Sequence, residues 1–358
     1  MKTPLCELLG IEHPIIQAPM AGGITTPELV AAVSEAGALG SFGFAYTQPE
    51  AMQRDAELVR ARTNAPFNLN LFLSEDAEAI DDAAQRAALE ALAPYFREVG
   101  LDPPKPVRPP FSPDHRAQLD AIAAIRPRVF TFHLGDTDAA RVRSLKDQGI
   151  RVGGSATSVS EAKRLESIGV DFIIAQGTEA GGHRGTYLRD PYEAMTGTLA
   201  LVRLIVSAVR VPVVAAGGIM DGAGIAAVLA LGAQAAQLGT AFVPCVESGA
   251  PRVHKQAILA AEDDTTLVTE KFSGKPARGI ANRYLREMRD APVLPFPAQN
   301  VLTGPLRSAA GKAGNADFPS LWAGQAAALA REMGAAELVA ALRAETRAAL
   351  DRLIGLRG

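Results

Sequence analysis

One local pattern recurs along the chain and limits its fold more than any other feature. A helical stretch is followed by a glycine, a short apolar run and a glycine-rich turn, as in residues 34–43, 146–155, 166–177 and 229–239. A glycine after a helical stretch favours the left-handed conformation that ends many helices. The apolar runs are continuous rather than alternating, which is typical of parallel strands covered by helices on both faces.

Extension of this pattern gives eight candidate strands, separated by helical segments. Two helices begin with recognisable caps, because Thr26 precedes Pro27 and Ser158 forms a capping-box pattern with Glu161. Eight alternating units predict an α/β protein with a closed TIM, or (β/α)8, barrel, and a doubly wound open sheet is the alternative. The candidate strands centre on residues 14–18, 39–41, 67–71, 129–132, 151–154, 172–175, 213–216 and 235–238.

The chain has 358 residues, more than a bare barrel of about 250 residues requires. We predict a barrel at 1–246, a smaller inserted subdomain over the barrel mouth at 247–319, and a C-terminal helical segment at 320–358 that packs back on the barrel. Within the subdomain we expect one helix near 253–261, followed by loops rich in Gly and Pro. The Pro-rich stretch 101–113 predicts a non-helical excursion between strands three and four.

Charge and cysteine content exclude several classes of protein. The 36 Lys and Arg residues nearly balance 39 Asp and Glu residues without a basic run, so we expect no nucleic-acid partner. Cys6 and Cys245 lie in no metal-binding or disulfide pattern, which favours a cytoplasmic protein without a metal site. The uncharged stretch 222–244 could span a bilayer, but Gly232 and two glutamines favour a buried helix–strand unit and no membrane partner.

The segment after strand six carries the strongest chemical signal. Residues 177–185 contain four glycines, which cost backbone entropy unless the main chain must wrap around a ligand. Barrels place their catalytic groups at this end of their strands. His183 lies among these glycines, and its imidazole can act as a base or as a hydrogen-bond donor to an anion. We predict that His183 is catalytic and lies on a mobile loop; an incidental histidine on a surface loop is the alternative.

Glycine turns also follow the last two strands. Gly217 and Gly218 follow strand seven, and Gly239 and Thr240 follow strand eight, where barrels commonly bind a phosphate group. We expect the helix that opens near Asp221 to contribute its positive end. Because the chain has neither a GxGxxG fingerprint nor a Walker motif, FMN fits best as the phosphate-bearing cofactor.

Three other strand ends carry candidate ligand-binding residues. Met20 follows Pro19 after strand one, in a turn whose glycines would let the main chain approach a flat ligand. Asn70 is a polar side chain inside the apolar third strand, so it either ties down a loop or bonds the ligand's polar edge. His133 ends strand four, where we expect it to support the site or contact the substrate rather than to catalyse.

Several segments together resemble the nitronate monooxygenase family, formerly called 2-nitropropane dioxygenase. Between about His13 and Phe242 these are HPIIQAPMAGG, GALGSFG, FNLNLF, AQGTEAGGHRG, VPVVAAGGIMDG and AQLGTAF, and further on FSGKPARGI and NADFPSLWAGQ are similar to the bacterial branch. Single motifs are shared with NADH:quinone reductases and the FMN-dependent enoyl-ACP reductase. The combination of the motifs in this order is specific to the superfamily. The His133 motif, the Pro-rich excursion and the C-terminal SLWAGQ favour the monooxygenase branch.

The resemblance implies positions for the cofactor and the catalyst. His183 matches the family's active-site histidine, and Met20 matches the residue beside the isoalloxazine ring. Relatives often have tyrosines in the C-terminal segment that lines the site, whereas this chain has Phe296 and Gln299 there. The other positions that match FMN-binding residues are Asn70, Gln176, Gly181, Gly218, Gln237, Leu238, Gly239 and Thr240.

The implied reaction is the oxidation of an alkyl nitronate, such as propionate 3-nitronate, by O2 to a carbonyl compound and nitrite or nitrate. An NAD(P)H-dependent FMN reductase and a non-catalytic flavin-binding protein are the alternatives. A dehydrogenase of the IMP dehydrogenase type is disfavoured, because the loop after strand six lacks the nucleophilic cysteine it would need. The expected partners are a small-molecule nitronate and O2, and the sequence is compatible with an oligomer.

Overall fold

Helices and strands alternate along the part of the chain that the computed structural model describes, residues 2–74 and 80–355. In chain order they are α1 (Pro4–Leu9), β1 (Ile15–Gln17), α2 (Pro27–Glu35), β2 (Gly40–Gly43), α3 (Pro49–Arg60), β3 (Phe67–Phe72), α4 (Asp82–Glu98), α5 (His115–Ile125), β4 (Val129–His133), α6 (Ala139–Asp147), β5 (Arg151–Ala156), α7 (Val159–Ser167), β6 (Phe172–Gln176), β7 (Gly182–His183), α8 (Thr198–Val206), β8 (Val213–Ala216), α9 (Gly222–Ala230), β9 (Ala235–Leu238), α10 (Arg252–Leu259), β10 (Thr266–Thr269), β11 (Ala277–Ile280), α11 (Arg283–Glu287), α12 (Ala298–Lys312) and α13 (Ala335–Gly355). Short 3₁₀ turns lie at Thr240–Phe242 and Ala327–Leu329.

The repeated glycine ends its helix as predicted. The φ angles of Gly37, Gly149, Gly169 and Gly232 are +81°, +83°, +90° and +99°, in the left-handed region. Each of these glycines turns the chain from a helix into the strand that follows it. The repeated pattern in the sequence is therefore a series of helix-to-strand turns.

The two predicted helix caps are both present, one of them in altered form. The Thr26 hydroxyl accepts a hydrogen bond from the Leu29 amide, and Pro27 occupies the first helical position. Ser158 likewise accepts from the Glu161 amide. The Glu161 carboxylate, however, accepts from the Thr157 amide at 2.7 Å, so the reciprocal half of the capping box is displaced by one residue.

Eight parallel strands form one sheet in the order β1-β9-β8-β6-β5-β4-β3-β2. A parallel bridge between Ile16 and Leu39 joins β1 to β2 and closes the sheet into a barrel. The predicted (β/α)8 fold is therefore confirmed. The barrel interior is filled by side chains such as Phe172, whose ring lies where a Cβ on Gly153 would approach it to 2.4 Å. Below it, α1 closes the N-terminal end with the fully buried Leu5.

The uncharged stretch 222–244 contains α9, β9 and the turn at Thr240–Phe242, as predicted for a buried helix–strand unit. Across residues 2–74 and 80–355, every helix is too short or too polar to cross a membrane. The Pro-rich stretch 101–113 has no helix or strand, which confirms the predicted excursion between β3 and β4.

The region after β9 is more regular than the sequence indicated. Our prediction of loops after the first helix was wrong, because β10, β11, α11 and α12 follow α10. The helix α12 continues through Pro305, which had favoured a loop. A second apolar core lies here, and it includes Leu92 and Phe96 from α4 as well as Phe272 and Leu306. The boundaries at residues 246 and 319 stay a prediction.

The C-terminal segment supplies the last helix of the barrel. The helix α13 packs against α9 and α2, filling the place next to β9. Residues 320–334 are not α-helical, contrary to our prediction for the start of this segment, and Trp322 instead bridges to Gly279. The contact with α9 is close, because a Cβ on Gly222 would lie 2.2 Å from the Thr346 amide nitrogen.

Substitution of Gly222 by Ala should therefore destabilise the fold. The added methyl group meets main-chain atoms that cannot rotate away, and such overpacking costs about 1–3 kcal/mol. Gly311→Ala in α12 is the matched control, since its Cβ meets nothing closer than 4.0 Å. Urea unfolding would measure both. Equal stability of the two variants would contradict a rigid contact between α9 and α13.

Candidate active site

A cavity of about 560 Å³ opens at the C-terminal ends of the barrel strands. This volume lies within the usual range for small-molecule sites. Every predicted site residue except Leu238 lines this cavity. The Leu238 side chain belongs to the barrel core instead and is 1% exposed. The predicted residues that line the cavity are Met20, Asn70, His133, Gln176, Gly181, His183, Gly217, Gly218, Gln237, Gly239 and Thr240.

The loop that carries His183 is held by main-chain pairing. Residues 182–183 form β7, which pairs antiparallel with β11, and His183 lies opposite Ala277. The His183 carbonyl accepts hydrogen bonds from Gln176 Nε2 at 2.9 Å and from His133 Nε2 at 3.0 Å. The structure therefore shows an anchored segment where the sequence suggested a mobile loop. Both Gln176 and His133 act here by supporting the main chain of His183.

The ring of His183 sits among three aromatic rings and one hydroxyl. Phe72, Phe296 and Trp322 have ring centroids 5.5–5.7 Å from the imidazole. The imidazole Nε2 lies 2.9 Å from Ser273 Oγ. Sequence reasoning did not single out Phe72, Ser273 or Trp322. The segments FNLNLF, FSGKPARGI and NADFPSLWAGQ contain all three, but only as family resemblance.

Burial and positive charge keep His183 neutral. Desolvation by the surrounding protein, then the charges of His133, Lys275 and Arg307, lower the pKa of His183 to about 3. Burial likewise lowers the pKa of His133 to about 4. At neutral pH His183 can therefore accept a proton or make a neutral hydrogen bond, but it carries no positive charge of its own to attract an anion.

Arg307 supplies a cation in the cavity wall. Its guanidinium donates to Thr303 Oγ1 at 3.1 Å, to Asn300 Oδ1 at 2.7 Å and to Ser320 Oγ at 3.3 Å, all uncharged acceptors. Within the described residues it has no carboxylate partner, and burial lowers its pKa. The described cavity wall contains Arg307 and Lys312 but no Asp or Glu. Such a wall favours anionic ligands.

The glycine turns after β8 and β9 offer free main-chain donors. The amides of Gly218, Gly239 and Thr240 make no hydrogen bond within the described chain. The φ angles of Gly217 and Gly218 are +115° and +70°, which suit glycine and let the main chain reach the cavity. These turns fit a phosphate group by their geometry.

The helix ends beside these turns are already occupied by carboxylates. At α9, Asp221 Oδ1 accepts from the Gly224 amide at 2.8 Å and Glu345 Oε2 accepts from the Gly222 amide at 3.0 Å. At α8, Glu179 accepts from the Thr198 amide at 2.8 Å. Two amides at the start of α9 are therefore already hydrogen-bonded within the protein. The contribution of this helix end to a phosphate site stays a prediction.

Two polar side chains at the strand ends line the cavity and have polar atoms without a hydrogen-bond partner in the described chain. Asn70 Nδ2 donates to Thr131 Oγ1 at 2.9 Å, while Asn70 Oδ1 has no partner in the described chain. The side-chain amide of Gln237 makes no hydrogen bond there either. Asn70 is thus tied to β4, and the ligand-bonding role of its Oδ1 at the cavity stays a prediction.

The buried histidines predict that the cofactor-free protein loses stability in acid. The pKa values of His133 and His254 are about 4 and that of His183 about 3, against about 6.5 in an unfolded chain. Between these values the unfolded state binds more protons, so stability falls as the pH decreases from about 6.5 to about 4. Urea unfolding at several pH values would show this loss.

The variant His254→Gln should weaken that pH dependence by about 1 kcal/mol per pH unit, because one protonation site of the unfolded chain is removed. His254 Nε2 bonds the Trp322 carbonyl at 2.9 Å, and the Gln amide can replace that donor. His115→Gln, in the partly exposed first turn of α5, is the control. An unchanged pH dependence in His254→Gln would show that this ring is protonated in the folded state.

Comparison with known proteins identifies the family. The nitronate monooxygenase family model matches residues 2–345. A nitronate monooxygenase of Paraburkholderia phytofirmans is 45% identical over 98% of this chain and 97% of its own. The nitroalkane oxidase structure from Streptomyces ansochromogenes has a TM-score of 0.90 and 40% identity, covering 98% of this chain and 99% of that one. FabK from Thermotoga maritima has a TM-score of 0.78 and 31% identity, covering 99% of each chain. The chain therefore belongs to the nitronate monooxygenase family and is an oxidoreductase enzyme.

Proposed function

We propose that this enzyme binds FMN and uses O2 to oxidise alkyl nitronates to a carbonyl compound and nitrite or nitrate, with propionate 3-nitronate as a representative substrate. The observation that carries the proposal is the neutral His183 in a cavity whose described walls hold glycine amides and cations but no carboxylate. A phosphate-bearing cofactor and an anionic substrate both suit such walls.

The residues present fit FMN. The amides of Gly218, Gly239 and Thr240, on the turns after β8 and β9, would hold its phosphate. Met20, Gln237 and the other strand-end residues would line its ring system, with Asn70 Oδ1 free to bond a ring N–H. When bound, FMN supplies the electron-transfer chemistry that links substrate oxidation to O2, and the protein supplies binding and orientation.

His183 would remove a proton from the substrate, and Arg307 would bind its carboxylate. With a neutral nitroalkane, the unprotonated ring nitrogen of His183 can remove the α-proton and leave the nitronate. A nitronate that arrives preformed needs no such step. Arg307, without a carboxylate partner in the described chain, can bind the carboxylate of propionate 3-nitronate. The similarity to the nitroalkane oxidase from Streptomyces ansochromogenes supports this substrate class.

An NAD(P)H-dependent FMN reductase is the second candidate, because single motifs of this chain resemble those of NADH:quinone reductases and the FMN-dependent enoyl-ACP reductase. A non-catalytic flavin-binding protein would have no use for an imidazole held in the cavity by β7 and β11. Oxygen consumption with propionate 3-nitronate, propyl-1-nitronate and NADH separates these functions. We expect turnover of both nitronates, a lower KM for propionate 3-nitronate, and negligible turnover of NADH. Turnover of NADH alone would favour the reductase.

Gly218→Asp should abolish flavin retention. FMN should co-purify with the wild-type protein, and a carboxylate at this turn would repel its phosphate. Gly149→Asp is the matched control, because Gly149 also has a positive φ, of +83°, and lies on an exposed turn away from the cavity. Flavin absorbance per chain is the measurement. Normal flavin content in Gly218→Asp would place the phosphate elsewhere.

His183→Asn should retain FMN but lose base catalysis. Oxidation of a neutral nitroalkane should fall by about 10²–10⁴-fold, the usual contribution of a positioned base. Oxidation of the matching preformed nitronate should fall much less, because its proton is already gone. Steady-state rates with both substrates make the comparison. Equal losses would show that His183 serves substrate binding, and full activity on both would remove it from the mechanism.

A further inference from the structure

We propose that Ser273 is a positioning residue that fixes the tautomer of His183, so that the proton of the neutral imidazole sits on Nε2 and Nδ1 faces the cavity as the proton-accepting atom. The inference rests on the proposed function, since the proton to be accepted is the α-proton of a nitroalkane. It names the reacting atom of the histidine and a residue, distant in sequence, that selects that atom.

The hydrogen bonds of one hydroxyl group determine the tautomer. Ser273 Oγ lies 3.1 Å from the Lys275 carbonyl, which can only accept, so the single hydroxyl proton has a fixed acceptor there. The lone pairs of Oγ then accept from the Lys275 amide at 3.4 Å and from His183 Nε2 at 2.9 Å. A neutral imidazole that donates from Nε2 carries no proton on Nδ1.

The opposite tautomer satisfies fewer groups. If the Ser273 hydroxyl donated to His183 Nε2, it could no longer donate to the Lys275 carbonyl. Two of the three hydrogen bonds around Oγ would then remain. Because Ser273 is only 1% exposed, water has little access to replace the missing bond. The arrangement with the proton on Nε2 is therefore the more stable one.

Two hydrogen bonds from α12 fix the segment that carries Ser273. Thr303 Oγ1 donates to the Phe272 carbonyl at 2.6 Å, and Gln299 Nε2 donates to the Lys271 carbonyl at 2.9 Å. The Ser273 amide itself donates to the Glu270 carbonyl at 3.2 Å. The hydroxyl thus has a fixed position against which the imidazole can align.

The second nitrogen of the imidazole, Nδ1, is left for the substrate. His183 lines the cavity, and its Nδ1 makes no hydrogen bond within the described chain. Proton abstraction breaks the α C–H bond, forms Nδ1–H, and leaves the electron pair on the nitronate. The charged groups near the ring, Lys275, Arg307 and the titratable His133, are not anions, so the nitronate is the partner of the imidazolium until the proton passes to water.

The tautomer can be measured directly, without turnover. In protein labelled with ¹⁵N-histidine, two-bond ¹H–¹⁵N correlation spectra distinguish the two neutral tautomers, and the signal that His183→Asn lacks identifies His183. We expect the Nε2–H form in the wild type, both without and with FMN. An Nδ1–H form in the wild type would overturn the proposal, whatever the enzyme oxidises.

Kinetics of Ser273→Ala and Ser273→Thr test the consequence. In Ser273→Ala, kcat for a neutral nitroalkane should fall about tenfold, the effect of one lost hydrogen bond to a ring that becomes charged. Its KM, its flavin content and its rate with the preformed nitronate should change by less than about twofold, a split expected when only the transition state is affected. Ser273→Thr keeps the hydroxyl and should restore kcat.

The outcomes are separable from those of the proposed function. Equal losses with nitroalkane and nitronate in Ser273→Ala would show a general structural role and overturn the positioning role. If the wild type oxidises neither substrate, the proposed function fails, while the NMR measurement still decides the tautomer. If Ser273→Ala does not fold, the wild-type spectrum alone confirms or overturns the assignment.

Discussion

The antiparallel pairing of β7 with β11 is the contact on which the candidate site depends. The glycines around His183 would otherwise leave this segment with large conformational freedom, since each glycine loses more backbone entropy on ordering than any other residue. β11 belongs to the region between β9 and α13, so the barrel provides the histidine while the region above it provides its fixed position. The Arg184 amide extends the pairing by donating to the Pro276 carbonyl at 2.8 Å. The barrel and the region between β9 and α13 therefore build the candidate site together.

The charge distribution around the cavity follows from where the carboxylates are used. Glu179 caps α8, and Glu345 joins Asp221 at the start of α9. Glu161, fully buried, accepts from the Thr157 and Tyr187 amides and so holds the chain beyond His183. Each acid is satisfied by main-chain donors outside the cavity wall. The wall is left with glycine amides and with the guanidinium of Arg307, which attract anions. Burial first, and then nearby positive charges that include Arg307, lower the pKa of His183.

Sequence reasoning succeeded where the signal was local. A glycine after a helical stretch predicts a left-handed turn whatever its tertiary surroundings, and Gly37, Gly149, Gly169 and Gly232 all have one. Eight such units require eight strand ends to meet at one edge, so the cavity and the place of His183 followed from the barrel. The identity of the cavity wall beyond the strand ends did not follow, because it depends on residues far apart in the chain.

The failures share that cause. Glu345 reaches the start of α9 across 123 residues, and no local pattern indicates that its carboxylate accepts a hydrogen bond from the Gly222 amide there. Ser273 lies 90 residues from His183, in a segment without helical or strand periodicity of its own. The helix α12 passes through Pro305, whose ring normally interrupts a helix, yet tertiary packing of Leu302 and Leu306 in the second core stabilises it. Arg307 reaches the cavity only because that helix forms.

The low pKa of His183 gives a physical reason to propose a nitronate rather than a nitroalkane as the preferred substrate. The efficiency of a general base rises with its pKa, and burial near Lys275 and Arg307 makes this imidazole a weak base. A neutral nitroalkane requires that weak base to remove a carbon-bound proton before oxidation can begin. A nitronate has already lost the proton, and its negative charge is attracted by the same cations that weaken the base. The charges that slow the first route thus favour the second, which supports the proposal that the enzyme acts on substrates that arrive as anions.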